Sequence, residues 1–177
     1  MPSSLRLTAV AISTLLVATG IALAQHNTID INRISDKGVG EKIGTVVVGK
    51  DAAGGVSFKI DVKGLPPGER GFHVHEKGDC GPAIDKGKIT AGAAAGPHYD
   101  PDGKKSHKGP KGAGHKGDLP ALKGSANGIS QIVSAPRLDW SDIQGRALVI
   151  HEKADNYTDK PENGGSARRV ACGVIPK

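Results

Sequence analysis

Aromatic side chains are scarce: two Phe, two Tyr and one Trp in 177 residues. A surface that binds nucleic acid by base stacking needs more than that. The excess of 24 Lys and Arg over 18 Asp and Glu therefore does not by itself point to DNA or RNA. Methionine occurs once, against 26 glycines and 11 prolines. That balance excludes a helical bundle or a coiled coil and favours short strands joined by turns. Cysteine occurs twice, at Cys80 and Cys172. The length suits one domain with a real core.

Leu7–Ala24 is an uncharged apolar run. Arg6 precedes it, and it ends in Ala22-Leu23-Ala24 before Gln25. A positive start, an apolar stretch and a small-x-small end describe a secretory signal peptide. Residues 1–24 are thus expected to be removed, leaving 25–177 as the mature domain with no stable membrane insertion. Removal costs one cation, Arg6, and leaves 23 cations against 18 acids, a net charge of +5. The destination is periplasmic or extracellular, where disulfides persist, so Cys80 and Cys172 are expected to be bonded. Linking them restricts the unfolded chain by roughly 4–5 kcal/mol on the loop-entropy model.

Period-two alternation marks strands at Ile29 and Ile31, Ile43–Gly49, Val56–Val62 and Gly71–Glu76. Asn127-Gly128 separates two more, Pro120–Lys123 and Ile129–Val133, as a hairpin turn would. Arg146–His151 and Arg169–Ile175 complete about eight, with no convincing helix. The expected fold is all-β, an antiparallel sandwich or barrel. Lys77 to Asp118 is different: Gly, Ala, Lys, Pro, Asp and His without apolar periodicity. A loop of that length in a compact domain is functional or disordered.

Seven histidines fall at 26, 73, 75, 98, 107, 115 and 151. His73 and His75, two apart on a strand, leave the same face. His151 ends a second apolar strand and can supply a third imidazole, a set that suits copper, zinc or iron. His98, His107, His115 and Asp118 follow at spacings of 9, 8 and 3 inside the long loop. Three nitrogens and a carboxylate make a tetrahedral set that zinc accepts. A bound metal would order a loop that composition alone would leave disordered.

Five segments occur in family order: Gly71-Phe-His-Val-His-Glu76, Gly96-Pro-His-Tyr-Asp-Pro101, Gly114-His-Lys-Gly-Asp-Leu-Pro120, Leu148-Val-Ile-His-Glu152 and Ala171-Cys-Gly-Val-Ile175. Together they resemble copper–zinc superoxide dismutase over residues 43–175. The short gap from His75 to Cys80 and Ala135-Pro-Arg-Leu138 resemble its secreted bacterial branch. The resemblance implies a Greek-key β-barrel with a long metal-binding loop and a second long loop. It implies copper on His73, His75, His98 and His151, and zinc on His98, His107, His115 and Asp118. His98 would bridge the two ions, each stabilising its deprotonation. Asp155 matches a carboxylate that orients ligands of both metals. Arg169 matches the arginine beside copper, and the Cys80–Cys172 bridge would pin the loop near it.

The implied reaction dismutes superoxide anion to dioxygen and hydrogen peroxide, with His98 and Arg169 as the catalytic side chains. Cations around an entrance raise the encounter rate of an anion. Lys104, Lys105, Lys108, Lys111 and Lys116 in the loop, with Lys153 and Lys160, are candidates for that role. A non-catalytic copper- and zinc-binding or copper-delivery protein on the same fold is the alternative, against which Arg169 and six ligand histidines weigh. A zinc hydrolase would want an acid where Lys77 stands. His26 has no place in either metal set, and Trp140 and Tyr157 read as packing or surface groups. Monomer and homodimer are both compatible with the sequence.

Overall fold

Strict alternation builds the sheet. In Val56–Val62 the side chains of Val56, Phe58, Ile60 and Val62 turn inward, while Lys59 and Asp61 face solvent. A computed structural model describes residues 27–177. The expected signal peptide at 1–24 and His26 lie outside the described residues. Within them are β1 Asn27–Ser35, β2 Gly38–Lys50, β3 Val56–Val62, β4 Gly68–Arg70, β5 Phe72–His75, β6 Ala83–Asp85 and β7 Lys88–Thr90. After a long connection follow β8 Leu122–Gly124, β9 Ile129–Ala135, one helical turn α1 Trp140–Ile143, β10 Ala147–His151 and β11 Arg169–Val174.

Seven strands form one antiparallel sheet in the order β5-β10-β11-β1-β2-β3-β9. The chain runs β1 to β3 as a meander, then crosses from edge to edge to place β5, β9 and β10, which is Greek-key connectivity. β4 leads into β5, β8 leads into β9, and β4 pairs with β8 at Arg70↔Leu122. That short pair ties the two sheet edges together and closes the expected barrel. Eight strands match those expected. The others are β4 and the hairpin of β6 and β7, which lies in the stretch without apolar periodicity. Its paired Ile84 and Ile89 point outward, 79% and 64% exposed, so no core-facing pattern marks it.

Two clusters lie on opposite sides of β10, which is buried along its whole length. Leu148 and Ile150 face the barrel core, where Phe58 and Phe72 meet edge to face at 5.7 Å. Ala147 and Val149 face outward and pack with Ile34, Ala95, Cys80 and Cys172. β5 divides the same way. Phe72 and Val74 enter the barrel core, and His73 and His75 pair with Val149 and Ala147 on the outer wall. The loop between β5 and β8 covers that wall. The Cys80–Cys172 disulfide, with Cα atoms 5.7 Å apart, fastens the loop to β11.

A closed ring of backbone bonds fixes the same loop further along. Val74 N–H donates to Gly117 O at 2.9 Å, Gly117 N–H to Tyr99 O at 2.8 Å, and Tyr99 N–H to Val74 O at 2.9 Å. A Cβ at Gly117 would lie 2.3 Å from Val74 O and 2.8 Å from Tyr99 N, both backbone atoms with little room to move. Gly117→Ala is therefore expected to destabilise the metal-free, disulfide-bonded protein by about 1–3 kcal/mol in urea unfolding. An unchanged urea midpoint would contradict this close approach.

Candidate metal centre

The strands supply one half of the centre and the loop the other. His73 and His75 project from β5, and His151 ends β10 beside them; all three are buried. His98 enters from the loop, whose backbone bridges to β5 at His75↔His98 and His73↔Asp118. The His98 ring lies 3.9 Å from that of His73 and 4.9 Å from that of His75. On its other side stand His107 and His115, at 5.1 and 5.6 Å. Donor atoms of His73, His75, His98 and His151 lie within 4.8 Å of one another, as do those of His98, His107, His115 and Asp118. The structure thus brings together all seven residues that the sequence analysis named as metal ligands. His98 belongs to both groups.

The hydrogen bonds decide which nitrogens are free for a metal. His75 Nδ1 meets Gly96 O at 2.8 Å, and His151 Nδ1 meets Ala167 O at 3.2 Å. A carbonyl only accepts, so each Nδ1 carries the hydrogen and each Nε2 keeps a bare lone pair. Those two lone pairs face each other at 3.5 Å, which a cation between them would relieve. His73 Nε2–H donates to Asp155 Oδ2 at 2.6 Å, leaving Nδ1 buried without a partner. His98 Nδ1 bonds Asp118 Oδ1 at 2.9 Å, leaving Nε2 in the same condition. His107 Nε2, His115 Nδ1 and Asp118 Oδ2 are also buried and unpartnered. Buried polar atoms are normally bonded, so this concentration of orphans fits two metal ions.

Charge follows from burial. Burial drives the His73 and His75 imidazoles well below their usual range, and the neighbouring His98 adds to the effect. It lowers His151 to about 3 and His98 less, because the Asp118 carboxylate opposes it there. Burial alone would raise Asp118, but the adjacent His115 and His98 outweigh it and bring that carboxyl to about 2. Asp155 is pushed up to about 6 by burial, against the pull of the Tyr157 N–H bond. A set of neutral imidazoles beside ionised Asp118 is the state that metal binding requires.

Asp155 reaches both groups. It bonds His73, and its carboxylate lies within 4.8 Å of donor atoms of His73 and Asp118. Gly164, at φ +65, makes room for it, since a Cβ there would fall 2.0 Å from Asp155 Oδ1. The Arg169 guanidinium donates to Gly92 O and to Gly96 O, the latter at 2.7 Å, so Gly96 O serves both His75 and Arg169. Arg169 lines a cleft of about 300 Å³ with Asp85, Lys86, Gly96, Pro97 and Glu162. None of the seven lysines expected to line an entrance borders this cleft. Lys86 does, and sequence reasoning passed over it; it is paired with Glu162. Lys116 is bound instead to Asp142 at 3.1 Å.

Sequence reasoning also missed two residues of the second long loop. Tyr157, expected to be packing or surface, bonds Ala121 N–H and Leu119 O through its hydroxyl. Asp159 bonds His107. Neither has a motif to reveal it. The alternation 155, 157, 159 has meaning only once the loop lies across the site. Trp140 packs against the core, as expected of it.

An antiparallel Greek-key barrel carrying two metal-ligand groups that share one imidazole defines a dinuclear metalloprotein. Residues 42–175 match the family model described as Copper/zinc superoxide dismutase (SODC). Superoxide dismutase [Cu-Zn] 2 of Salmonella typhimurium is 47% identical over 168 residues, covering 93% of this chain and 96% of that one. Superoxide dismutase [Cu-Zn] of Brucella abortus is 45% identical over 166 residues, covering 92% and 95%. The solved structure of the Cu/Zn enzyme from Brucella abortus superposes with a TM-score of 0.81 at 45% identity, covering 85% of this chain and 99% of that one. The solution structure of the monomeric enzyme from Salmonella enterica gives 0.75 at 45%, with the same coverage. The chain belongs to the copper/zinc superoxide dismutase family.

The depressed imidazoles make the metal-free fold sensitive to acid. Below about pH 6.5 the unfolded chain protonates histidines that the fold keeps neutral. For His151 this loss of stability continues to about pH 3, and His73, His75 and His98 act in the same direction. Asp155 works oppositely: its raised carboxyl stabilises the fold below its normal range, and that contribution is lost as pH rises through about 6. His115, raised by Asp118, also opposes. Four groups outweigh two. The thermal midpoint of the metal-free protein is expected to fall between about pH 7 and 4.5, with net proton uptake on unfolding of roughly two. A flat profile would contradict the neutral-imidazole assignment.

Proposed function

We propose that the protein converts two superoxide anions and two protons to dioxygen and hydrogen peroxide. His73, His75, His98 and His151 hold copper; His98, His107, His115 and Asp118 hold zinc. The observation that carries this reading is the convergence of buried, unpartnered donor atoms on two groups that share His98. The names of the relatives, superoxide dismutase [Cu-Zn], support it. When bound, copper supplies a one-electron couple that alternately oxidises and reduces superoxide, and zinc supplies charge without redox change.

The protein's own groups do the rest. Outer hydrogen bonds from His73 to Asp155, from His75 to Gly96 and from His151 to Ala167 stop the rings from turning and keep their inner nitrogens available. His98 Nε2 is the atom that takes up a proton in one half of the cycle and releases it in the other. Arg169 attracts the anion through a permanently charged guanidinium. Its anchoring on Gly96 O holds that charge in fixed relation to His75. Arg169 and its cleft contribute to steering, and Lys105 borders a second cleft beside His98 and His115.

The apolar run at 7–24 and the Cys80–Cys172 disulfide support an exported protein, periplasmic or secreted. Among the described residues no helix is long and apolar enough to cross a membrane. Of monomer and homodimer, the monomeric Salmonella enterica structure favours the monomer.

Superoxide removal by the mature protein is expected to appear on copper loading and to be lost in His73→Ala. Arg169→Ala is expected to keep its copper, lower kcat/KM by roughly tenfold and flatten the dependence on ionic strength. Copper-loaded protein that consumes no superoxide would overturn the catalytic reading. Activity unaffected by His73→Ala would overturn the ligand assignment.

A further inference from the structure

The charge of the mature chain is not spread evenly. Residues 103–117 hold five lysines and no acid, and outside them 18 cations remain in residues 25–177 against 18 acids. The net charge of +5 therefore resides in this one stretch of the metal-binding loop. Lysines elsewhere have acids beside them. Lys37 follows Asp36, Lys50 precedes Asp51, Lys59 shares a strand face with Asp61, and Lys123 stands opposite Glu69.

The stretch is tightly folded. His115 N–H donates to Ser106 O at 2.9 Å and Gly112 N–H to Gly109 O at 3.2 Å, which turns the chain back on itself. The Arg137 guanidinium donates to Gly109 O, Gly114 O and His115 O at 3.3, 2.6 and 3.2 Å. Lys104, Lys105, Lys108 and Lys111 are exposed along this fixed backbone. Asp159 accepts from the His107 backbone N–H, so its neighbour Lys160, also exposed, comes to the same place from the second long loop. The described lysine ion pairs are Lys42–Asp30, Lys86–Glu162 and Lys116–Asp142, and none uses these five ammonium groups. The acids at hand are already bonded. Asp100 accepts from the Lys104 and Lys105 backbone N–H groups, and Asp159 from His107.

We propose that this lysine face is a docking surface for an anionic phospholipid bilayer, on which the protein adsorbs without inserting. The inference does not depend on which metals the centre holds. The five exposed cations are all lysine, point charges on flexible stems that suit a diffuse layer of phosphates rather than one bidentate ligand. Residues 103–117 contain no Phe, Trp, Tyr, Leu, Ile, Val or Met, so nothing there enters hydrocarbon or stacks on a base. A long anionic polymer would be followed by a track of cations across the surface. Here charge-balanced surroundings frame a single patch, which a plane of charge meets all at once. The backbone is fixed beforehand, so adsorption has only side chains to order. Each lysine near such a membrane favours partition by roughly fivefold.

The test uses the mature, metal-loaded protein and co-sedimentation with vesicles of phosphatidylcholine alone or mixed with phosphatidylglycerol. One variant carries Lys104→Gln, Lys108→Gln, Lys111→Gln and Lys160→Gln, sparing Lys105 because it borders the cleft beside His98 and His115. A second, equal in net charge, carries Lys37→Gln, Lys50→Gln, Lys59→Gln and Lys123→Gln. The parent is expected to bind the phosphatidylglycerol vesicles at low salt, to leave them at high salt, and to ignore phosphatidylcholine. The loop variant is expected to lose at least about 100-fold in partition with an unchanged thermal midpoint, and the second variant to stay within a few-fold of the parent. No binding by the parent at low salt would overturn the proposal. Equal losses in both variants would reduce the effect to net charge and overturn it too. Binding to dextran sulfate with none to the vesicles would replace the bilayer by a polymer, and so would also refute it.

Discussion

A neutral imidazole has two nitrogens and one hydrogen, and the centre is organised around where that hydrogen goes. At His75 and His151 it is claimed by a backbone carbonyl and at His73 by the Asp155 carboxylate, whereas His98, shared by both groups, turns Nδ1 toward Asp118 of the second group. Each commitment to an outer acceptor turns the remaining lone pair inward. Because the rings are buried, protonating those lone pairs is disfavoured, and water cannot reach in to satisfy them. Only a cation supplied from outside answers several lone pairs at once. The acceptors are distributed over the metal loop, the second loop and the chain just before β11. The architecture around the barrel therefore serves to present them.

That requirement explains why so much fastening is spent on segments with little apolar content. The loop between β5 and β8 cannot bury enough surface to order itself. It is held by backbone bridges to His73 and His75, by the ring of bonds through Gly117, and by the disulfide to β11. A small apolar cluster around Val149 and Cys172 lies beneath it, on the outer face of β10. The barrel core and this outer cluster share the same strands. The wall that carries His73, His75 and His151 is consequently packed from both sides and rigid where a ligand must not move.

What the chain reveals on reading is whatever repeats with the period of a strand or matches an ordered motif. Val56–Val62 alternates because one face is core, and the pair His73 and His75 is informative for the same reason. The histidines of the loop were legible through the family motifs around them, and the cysteines through their number and the exported context. The hairpin of β6 and β7 was hidden because its two isoleucines face outward. Lys86, Tyr157 and Asp159 were hidden because their partners lie far off in sequence, at Glu162, Leu119 with Ala121, and His107. Of the loop lysines, Lys105 borders a cleft beside His98 and His115, while the lysine at the Arg169 cleft is Lys86.

The three-residue pairing of β4 with β8 has a consequence for how the molecule assembles. These strands flank the metal loop on either side, so the contact that closes the barrel also closes that loop. Joining segments so distant in sequence must meet a large loss of chain entropy before any local reward arrives, which makes such steps slow. Closing the barrel therefore also brings together the two ends of the loop that carries His98, His107, His115 and Asp118.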